Sequence, residues 1–308
     1  MSRGEHSLLL ASRRRVGDEV CYTIFMKTLQ ECIKEAGEKG VAIGHFNVSD
    51  SEGFRAVVDS AKELGVPVII GVSEKERSFL GVAEIRALVT VEKDKGQLVF
   101  LNADHTYSVE ASMEAVDNHF DSVIIDGAEK PFFENIMMTK EVVKYTKEKY
   151  PDMIVEGELG FIGTGSMLRD EIPDGVSEET QTTVEDAKTF VHETCVDLFA
   201  PSVGNVHGLV KGGEPKLNIA RIKAIAEAVS VPLVLHGASG NTDEDVSAAI
   251  DAGIRIVHIN TELRQAYKKG IEKGMSSDEL APYKFMAEGV EEMKKIVTQK
   301  LKVFNKLS

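Results

Sequence analysis

One pattern constrains this chain more than any other: short β-branched apolar runs alternate with longer stretches of helical period. Eight such runs occur, at 41–48, 67–73, 97–103, 122–126, 154–159, 197–203, 232–236 and 255–259. They are apolar at odd and even positions alike, as a parallel sheet covered on both faces requires. Helical patterns fall between them at 51–64, 109–118, 134–149, 183–194, 218–229 and 243–251. Thr242 before Asp243, Glu244 and Asp245 marks a helix start by capping and by charge at the positive end of the helix dipole. The stretch 281–304 adds a further C-terminal helical region. Eight strand–helix units in order predict an α/β fold of the closed (β/α)8, or TIM, type. The competing open sheet would carry a glycine-rich turn after its first strand and an acidic residue about 20 positions on, and neither is present.

Composition narrows the function classes. The 308 residues hold 36 Lys and Arg against 50 Asp and Glu, a formal charge of −14. That acidic excess argues against a nucleic-acid partner, because nothing is available to displace counterions from a phosphate backbone. An anionic small substrate is still compatible with it, given a local basic pocket. No apolar run approaches the roughly 20 residues that span a bilayer, so no membrane partner is expected. Three cysteines, Cys21, Cys32 and Cys195, suggest neither a disulfide framework nor a zinc ribbon, and fit a reducing cytoplasm. Residues 1–25 read as a disordered N-terminal extension, and 26–308 as a single barrel domain. Symmetric homo-oligomers, dimers or tetramers, are the base expectation.

In a barrel, chemistry sits where strands end at their C-terminal side. Strand three ends Asp104-His105, strand five Glu156-Gly157-Glu158, strand six Asn205-Val206-His207-Gly208 and strand seven His236-Gly237-Ala238-Ser239-Gly240. A lone histidine there is usually a satisfied core residue. Three converging on one mouth, with Asp104 and Glu158 near, suit a divalent ion of the zinc type with an open coordination position. His6, His119 and His192 fall in the tail or on helix surfaces, His45 is expected in the core or behind the ligands, and His258 faces either the mouth or the packing. The glycine turns after His207 and His236 let backbone N–H groups approach an anion, with Ser239 adding a donor. Lys211 and Arg264 are candidate cations there. None of the eight runs contains a lysine, and the nearest, Lys130, is followed at once by Pro131. Imine chemistry is therefore disfavoured against metal assistance.

Four co-linear motifs, Asn-Ala-Asp-His-Thr-Tyr-Ser (102–108), Glu-Gly-Glu-Leu-Gly (156–160), Gly-Asn-Val-His-Gly (204–208) and Leu-His-Gly-Ala-Ser-Gly (235–240), resemble the class II, zinc-dependent ketose-bisphosphate aldolases. The resemblance runs from about residue 27 to the C-terminus. It implies zinc, replaceable by cobalt or another divalent ion, on His105, His207 and His236, with Glu158 as an alternate ligand. It implies Asp104 as the catalytic acid–base. Gly208, Lys211, Gly237, Ser239 and Thr261 match positions that hold a triose phosphate, Asn47 and Ser73 match polar substrate contacts, Asn260 lies beside them, and Arg264 resembles an arginine used for a second phosphate. A monovalent cation, Na+ or K+, near the glycine turns is also implied. The implied reaction is reversible cleavage of a ketose 1,6-bisphosphate, fructose first and tagatose as the alternative, to dihydroxyacetone phosphate and glyceraldehyde 3-phosphate.

The chain departs from the family pattern in places. Asn102 stands where many members have histidine, His258 where many have asparagine, and Asn260 where many have aspartate or alanine. Ser166 occupies the place of a mobile acidic residue in the long loop 163–181, where Asp170 or Glu171 is the alternative. Two other classes stay open: a metal-dependent hydrolase built on the same ligands, and a sugar-phosphate binder without turnover.

Overall fold

The strands close on themselves. The computed structural model describes residues 11–16, 19–24, 26–212 and 216–308. Its barrel strands are β1 (Ile43–Asn47), β2 (Val68–Ser73), β3 (Val99–Thr106), β4 (Ser122–Ile125), β5 (Ile154–Leu159), β6 (Leu198–Pro201), β7 (Leu233–Leu235) and β8 (Ile254–Ile259). All pair in parallel and in chain order, and β8 returns to β1 through Ile256–Ile43 and His258–His45. This is the (β/α)8 barrel the alternation predicts.

Helix α1 (Leu29–Lys39) precedes β1, and α2 (Ser51–Leu64) follows it. The β2–β3 connection holds α3 (Glu74–Leu80) and α4 (Val82–Asp94). Then α5 (Val109–Asp117), α6 (Phe132–Lys149), α7 (Val184–Thr194), α8 (Ile219–Ala228) and α9 (Asp243–Ala252) follow β3 to β7 in turn. After β8 come α10 (Thr261–Met275), the short α11 (Pro282–Phe285) and α12 (Ala287–Phe304). Short polar residues start many of them: Asp50, Ser108, Thr183, Asn218 and Thr242 each accept a first-turn N–H. No helix among the described residues is long and apolar enough to cross a membrane.

Two apolar cores result. Ile43, Ile69, Phe100, Ile154, Leu198, Val234 and Ile256 fill the lower barrel, and Leu29, Cys32 and Ile33 of α1 join them from below. Outside the strands, residues such as Val57, Val116, Phe190, Ile222 and Leu301 pack helices onto the sheet. Each fully buried side chain of this size contributes about 1.5–3 kcal/mol. The C-terminal helix ties the barrel shut: Phe304 O accepts the N–H of Ala42 at 3.0 Å, just before β1.

Inside the barrel, the period-two positions change character along each strand. Ile43 gives way to His45 and Asn47, Phe100 to Asn102 and Asp104, Ile154 to Glu156 and Glu158, Val234 to His236, and Ile256 to His258. The apolar floor thus carries a buried polar layer on its C-terminal side. On β2 the matching position is Gly71, where a Cβ would lie 2.0 Å from Cε1 of His45. Gly71→Ala should therefore push the His45 ring aside and cost about 1–3 kcal/mol as overpacking. Urea denaturation checks this, with an unchanged midpoint as the contrary result.

Disorder was expected over 1–25. Part of that span lies outside the described residues. Within it, the segments Ala11–Val16 and Glu19–Ile24 pair antiparallel, consistent with the β-branched and aromatic run from Val20 to Ile24.

Candidate active site

The site is built on a strand irregularity. Between β3 and β4 the register shifts: Ala103 faces Val123, yet Thr106 faces Ile125. One extra residue is accommodated, and His105 takes φ of 37°. A regular strand would send Asp104 and His105 to opposite faces. The bulge lets both reach the mouth, and both line the cavity there. The buried Arg77 guanidinium supports the turn, donating to Asp104 O at 3.4 Å, Val72 O at 2.9 Å and Thr106 Oγ1 at 3.3 Å.

The cavity at the C-terminal strand ends encloses about 500 Å³. Of the residues singled out from sequence, Asn47, Ser73, Asp104, His105, His207, Gly208, Gly237, Ser239, Asn260, Thr261 and Arg264 line it. Glu158 and His236 lie buried beside them. Ligand-type atoms of His105, Glu158, His207 and His236 all lie within 4.8 Å of one another. The His105 ring centre is 4.7 Å from that of His207 and 4.9 Å from that of His236. Donors around a tetrahedral zinc, at about 2.1 Å from the ion, would be roughly 3.4 Å apart, so small side-chain adjustments suffice.

Unsatisfied atoms point the same way. Glu158 Oε2 and His236 Nδ1 are buried without a hydrogen-bond partner, although they lie 3.2 Å apart. Such atoms cost free energy unless something is coordinated between them. Residues behind the cluster orient it: Glu156 Oε1 lies 2.7 Å from His236 Nε2, and Asp126 Oδ2 lies 2.8 Å from His105 Nδ1. Carboxylates behind imidazoles are the usual outer shell of a metal site. The residues present therefore fit a divalent ion.

Charge in the cluster is tightly coupled. Burial opposes a charged His105, but Asp104, Glu158 and Asp126 outweigh it and raise its pKa to about 9. His236 is likewise raised against burial, by Glu158 and Glu156. His207 goes down to about 3, through burial and then repulsion by His105 and His236. Burial pushes Asp104 up, yet His105, His258 and His45 hold it well below the carboxylate range. The buried carboxylates thus favour positive charge on His105 and His236, and a divalent cation would supply charge of the same sign.

Asp104 is positioned by Asn47, whose Nδ2 donates to Oδ2 at 2.8 Å. Its Oδ1 is buried without a hydrogen-bond partner. Beneath it three imidazoles stack: His45 on His258 at 3.5 Å, and His258 on His236 at 4.2 Å. His258 faces the mouth, with Nδ1 3.6 Å from Asp104 Oδ1. His45 is a supporting residue, as expected; its Nε2 lies 3.0 Å from Asn102 Oδ1, and Asn102 donates to Ser122 Oγ at 2.7 Å.

At the other side, Ser239 Oγ accepts the N–H groups of Asn260 and Glu262, at 3.2 and 3.4 Å. It lines the cavity beside the start of α10, an arrangement suited to an anion. Lys211 does not line the cavity. The two-residue pairing of Leu209–Val210 with Leu168–Arg169 carries it outward, and its Nζ lies 2.5 Å from Asp170 Oδ1. Asp170 and Glu171 are also absent from the cavity wall, whereas Ser166 lines it. Lys130 is half exposed and pairs with Glu134 at 3.5 Å.

Sequence reasoning did not assign Asp126, Glu156 or Glu76. Glu76 is buried at the rim and accepts Asn47 Nδ2 at 2.9 Å. Its signal was present as Ser-Glu-Lys-Glu (73–76), a capping box that starts α3.

The family model for class II fructose-bisphosphate aldolases matches residues 27–307. The fructose-bisphosphate aldolase of Staphylococcus aureus (strain Mu50) is 33% identical over 283 residues, 90% of this chain and 96% of its own. The 6-phospho-5-dehydro-2-deoxy-D-gluconate aldolase of Shouchella clausii is 36% identical over 279 residues, 88% and 92% of the two chains. The crystal structure of the YdjI aldolase from Escherichia coli K12 superposes with a TM-score of 0.78 at 31% identity, covering 91% of this chain and 97% of that one. With its barrel, its histidine cluster and this sequence match, the chain belongs to the class II fructose-bisphosphate aldolase family.

Proposed function

We propose that the protein is a zinc-dependent lyase that reversibly cleaves a C1-phosphorylated ketose between C3 and C4. The observation that carries this reading is the meeting of His105, Glu158, His207 and His236 beside an Asp104 oxygen that has no hydrogen-bond partner. His105, His207 and His236 would hold the ion, with Glu158 as the alternate ligand. When bound, it supplies Lewis-acid polarisation of the ketose carbonyl. Asp104, held deprotonated by its histidine neighbours, accepts the C4 hydroxyl proton as the bond breaks and returns it in condensation. Asn47 fixes one of its oxygens and leaves the other free for that transfer. The turns at Gly208 and Gly237, with Ser239 and Thr261, receive the C1 phosphate.

The relatives' names divide over the sugar, one a fructose-bisphosphate aldolase and one a 6-phospho-5-dehydro-2-deoxy-D-gluconate aldolase. Fructose and tagatose 1,6-bisphosphates and fructose 1-phosphate are therefore assayed in parallel on zinc-loaded protein. Release of triose phosphate from at least one is expected, lost with chelator and regained with zinc. Borohydride with substrate should leave activity intact. Borohydride inactivation, or no cleavage of any of the three, refutes the reading.

A further inference from the structure

One ion pair governs the rim beyond β2, four strands round the barrel from the β6 loop that carries His207 and Gly208. Arg264 Nη2 lies 2.6 Å from Glu76 Oε1. The other carboxylate oxygen, Oε2, accepts Ser73 N at 2.8 Å, Ser73 Oγ at 2.8 Å and Asn47 Nδ2 at 2.9 Å. The Glu76 side chain is 6% exposed and that of Arg264 47%. Glu76 is thus pinned at four points in the first turn of α3, and Arg264 is the partner that can move.

We infer that Glu76 is a specificity-determining residue: by pairing with Arg264, the one guanidinium among the described residues lining the mouth, it keeps that charge from a second phosphate, so the enzyme prefers ketoses phosphorylated at C1 alone over bisphosphates. The inference rests on the aldolase reading and narrows its sugar to one phosphorylated at C1 alone. Among the described residues lining the cavity, Lys75 and Arg264 are the only lysine or arginine, against the acidic Glu74, Asp104 and Asp126. A second phosphate at Arg264 would place a dianion next to a carboxylate that cannot swing away. Pulling Arg264 off instead would strip a buried carboxylate of its cation, which is the costly way to break such a pair. Lys75 is exposed, and a flexible ammonium does not reproduce the forked geometry of a guanidinium toward phosphate. An uncharged hydroxylated tail meets no such repulsion.

The test runs the zinc-loaded enzyme in condensation. Dihydroxyacetone phosphate is offered with D-glyceraldehyde or with D-glyceraldehyde 3-phosphate, and kcat/KM is compared. Wild type should favour the unphosphorylated aldehyde. Glu76→Gln, whose amide oxygen can still accept from Ser73 and Asn47, should shift the ratio toward the phosphorylated one by tenfold or more. A general structural loss would lower both rates together without moving their ratio. Wild-type preference for the phosphorylated aldehyde, or an unmoved ratio in Glu76→Gln, overturns the inference, and the wild-type comparison stands even if the variant does not fold. Hydrogen exchange of dihydroxyacetone phosphate in deuterated water separates the two readings. Its absence in wild type defeats the aldolase reading and this inference with it; exchange with the contrary ratio defeats the inference alone.

Discussion

Asp104→Ala should lower turnover by about 10²–10⁴-fold while metal content stays at wild-type level. The side chain is not in the four-residue ligand cluster, so its loss leaves the imidazoles and Glu158 in place. What it removes is the proposed proton acceptor, whose Oδ1 is buried without a hydrogen-bond partner and which lines the cavity. Asp104→Asn keeps the volume and should lose turnover to a similar degree, which separates loss of the base from loss of packing. Measured steady-state rates and metal analysis on the same samples decide it. Near-normal turnover in Asp104→Asn would show that another group takes the proton.

His207→Ala should reduce bound zinc to below a tenth of the wild-type content and abolish cleavage. Removing one of the three imidazoles leaves His105 and His236 with only the alternate ligand Glu158, a set expected to hold the ion too weakly to survive dialysis. Atomic absorption after dialysis gives the occupancy, and calorimetric titration gives the affinity. Full occupancy in His207→Ala would remove this residue from the ligand set.

The barrel was legible because parallel strands buried on both faces leave continuous apolar runs. All eight runs overlap observed strands. Strand ends then nominated the site, since eight parallel strands bring their C-terminal ends to one mouth. Three things stayed hidden for physical reasons. Strand alternation gives no hint that Asp104 and His105 share a face; that needs the β3 bulge, which depends on tertiary support from Arg77. Lys211 follows His207 closely in sequence, but the pairing of Leu168–Arg169 in the loop 163–181 with residues 209–210 precedes its ion pair with Asp170. Glu76 read as an ordinary helix-start acid, and its grip on Arg264 spans 188 positions that no local pattern connects.

The β3 bulge has a consequence for how such an enzyme can diversify. The proposed proton acceptor, Asp104, and the proposed metal ligand, His105, are adjacent residues, so their Cα separation is fixed at about 3.8 Å by one peptide unit. Selection cannot tune the reach between base and ion by sliding one past the other. New acceptor sugars must instead be accommodated by swapping side chains on the surrounding helices and on the loop 163–181, leaving the Asp104–His105 pair as a covalently set ruler.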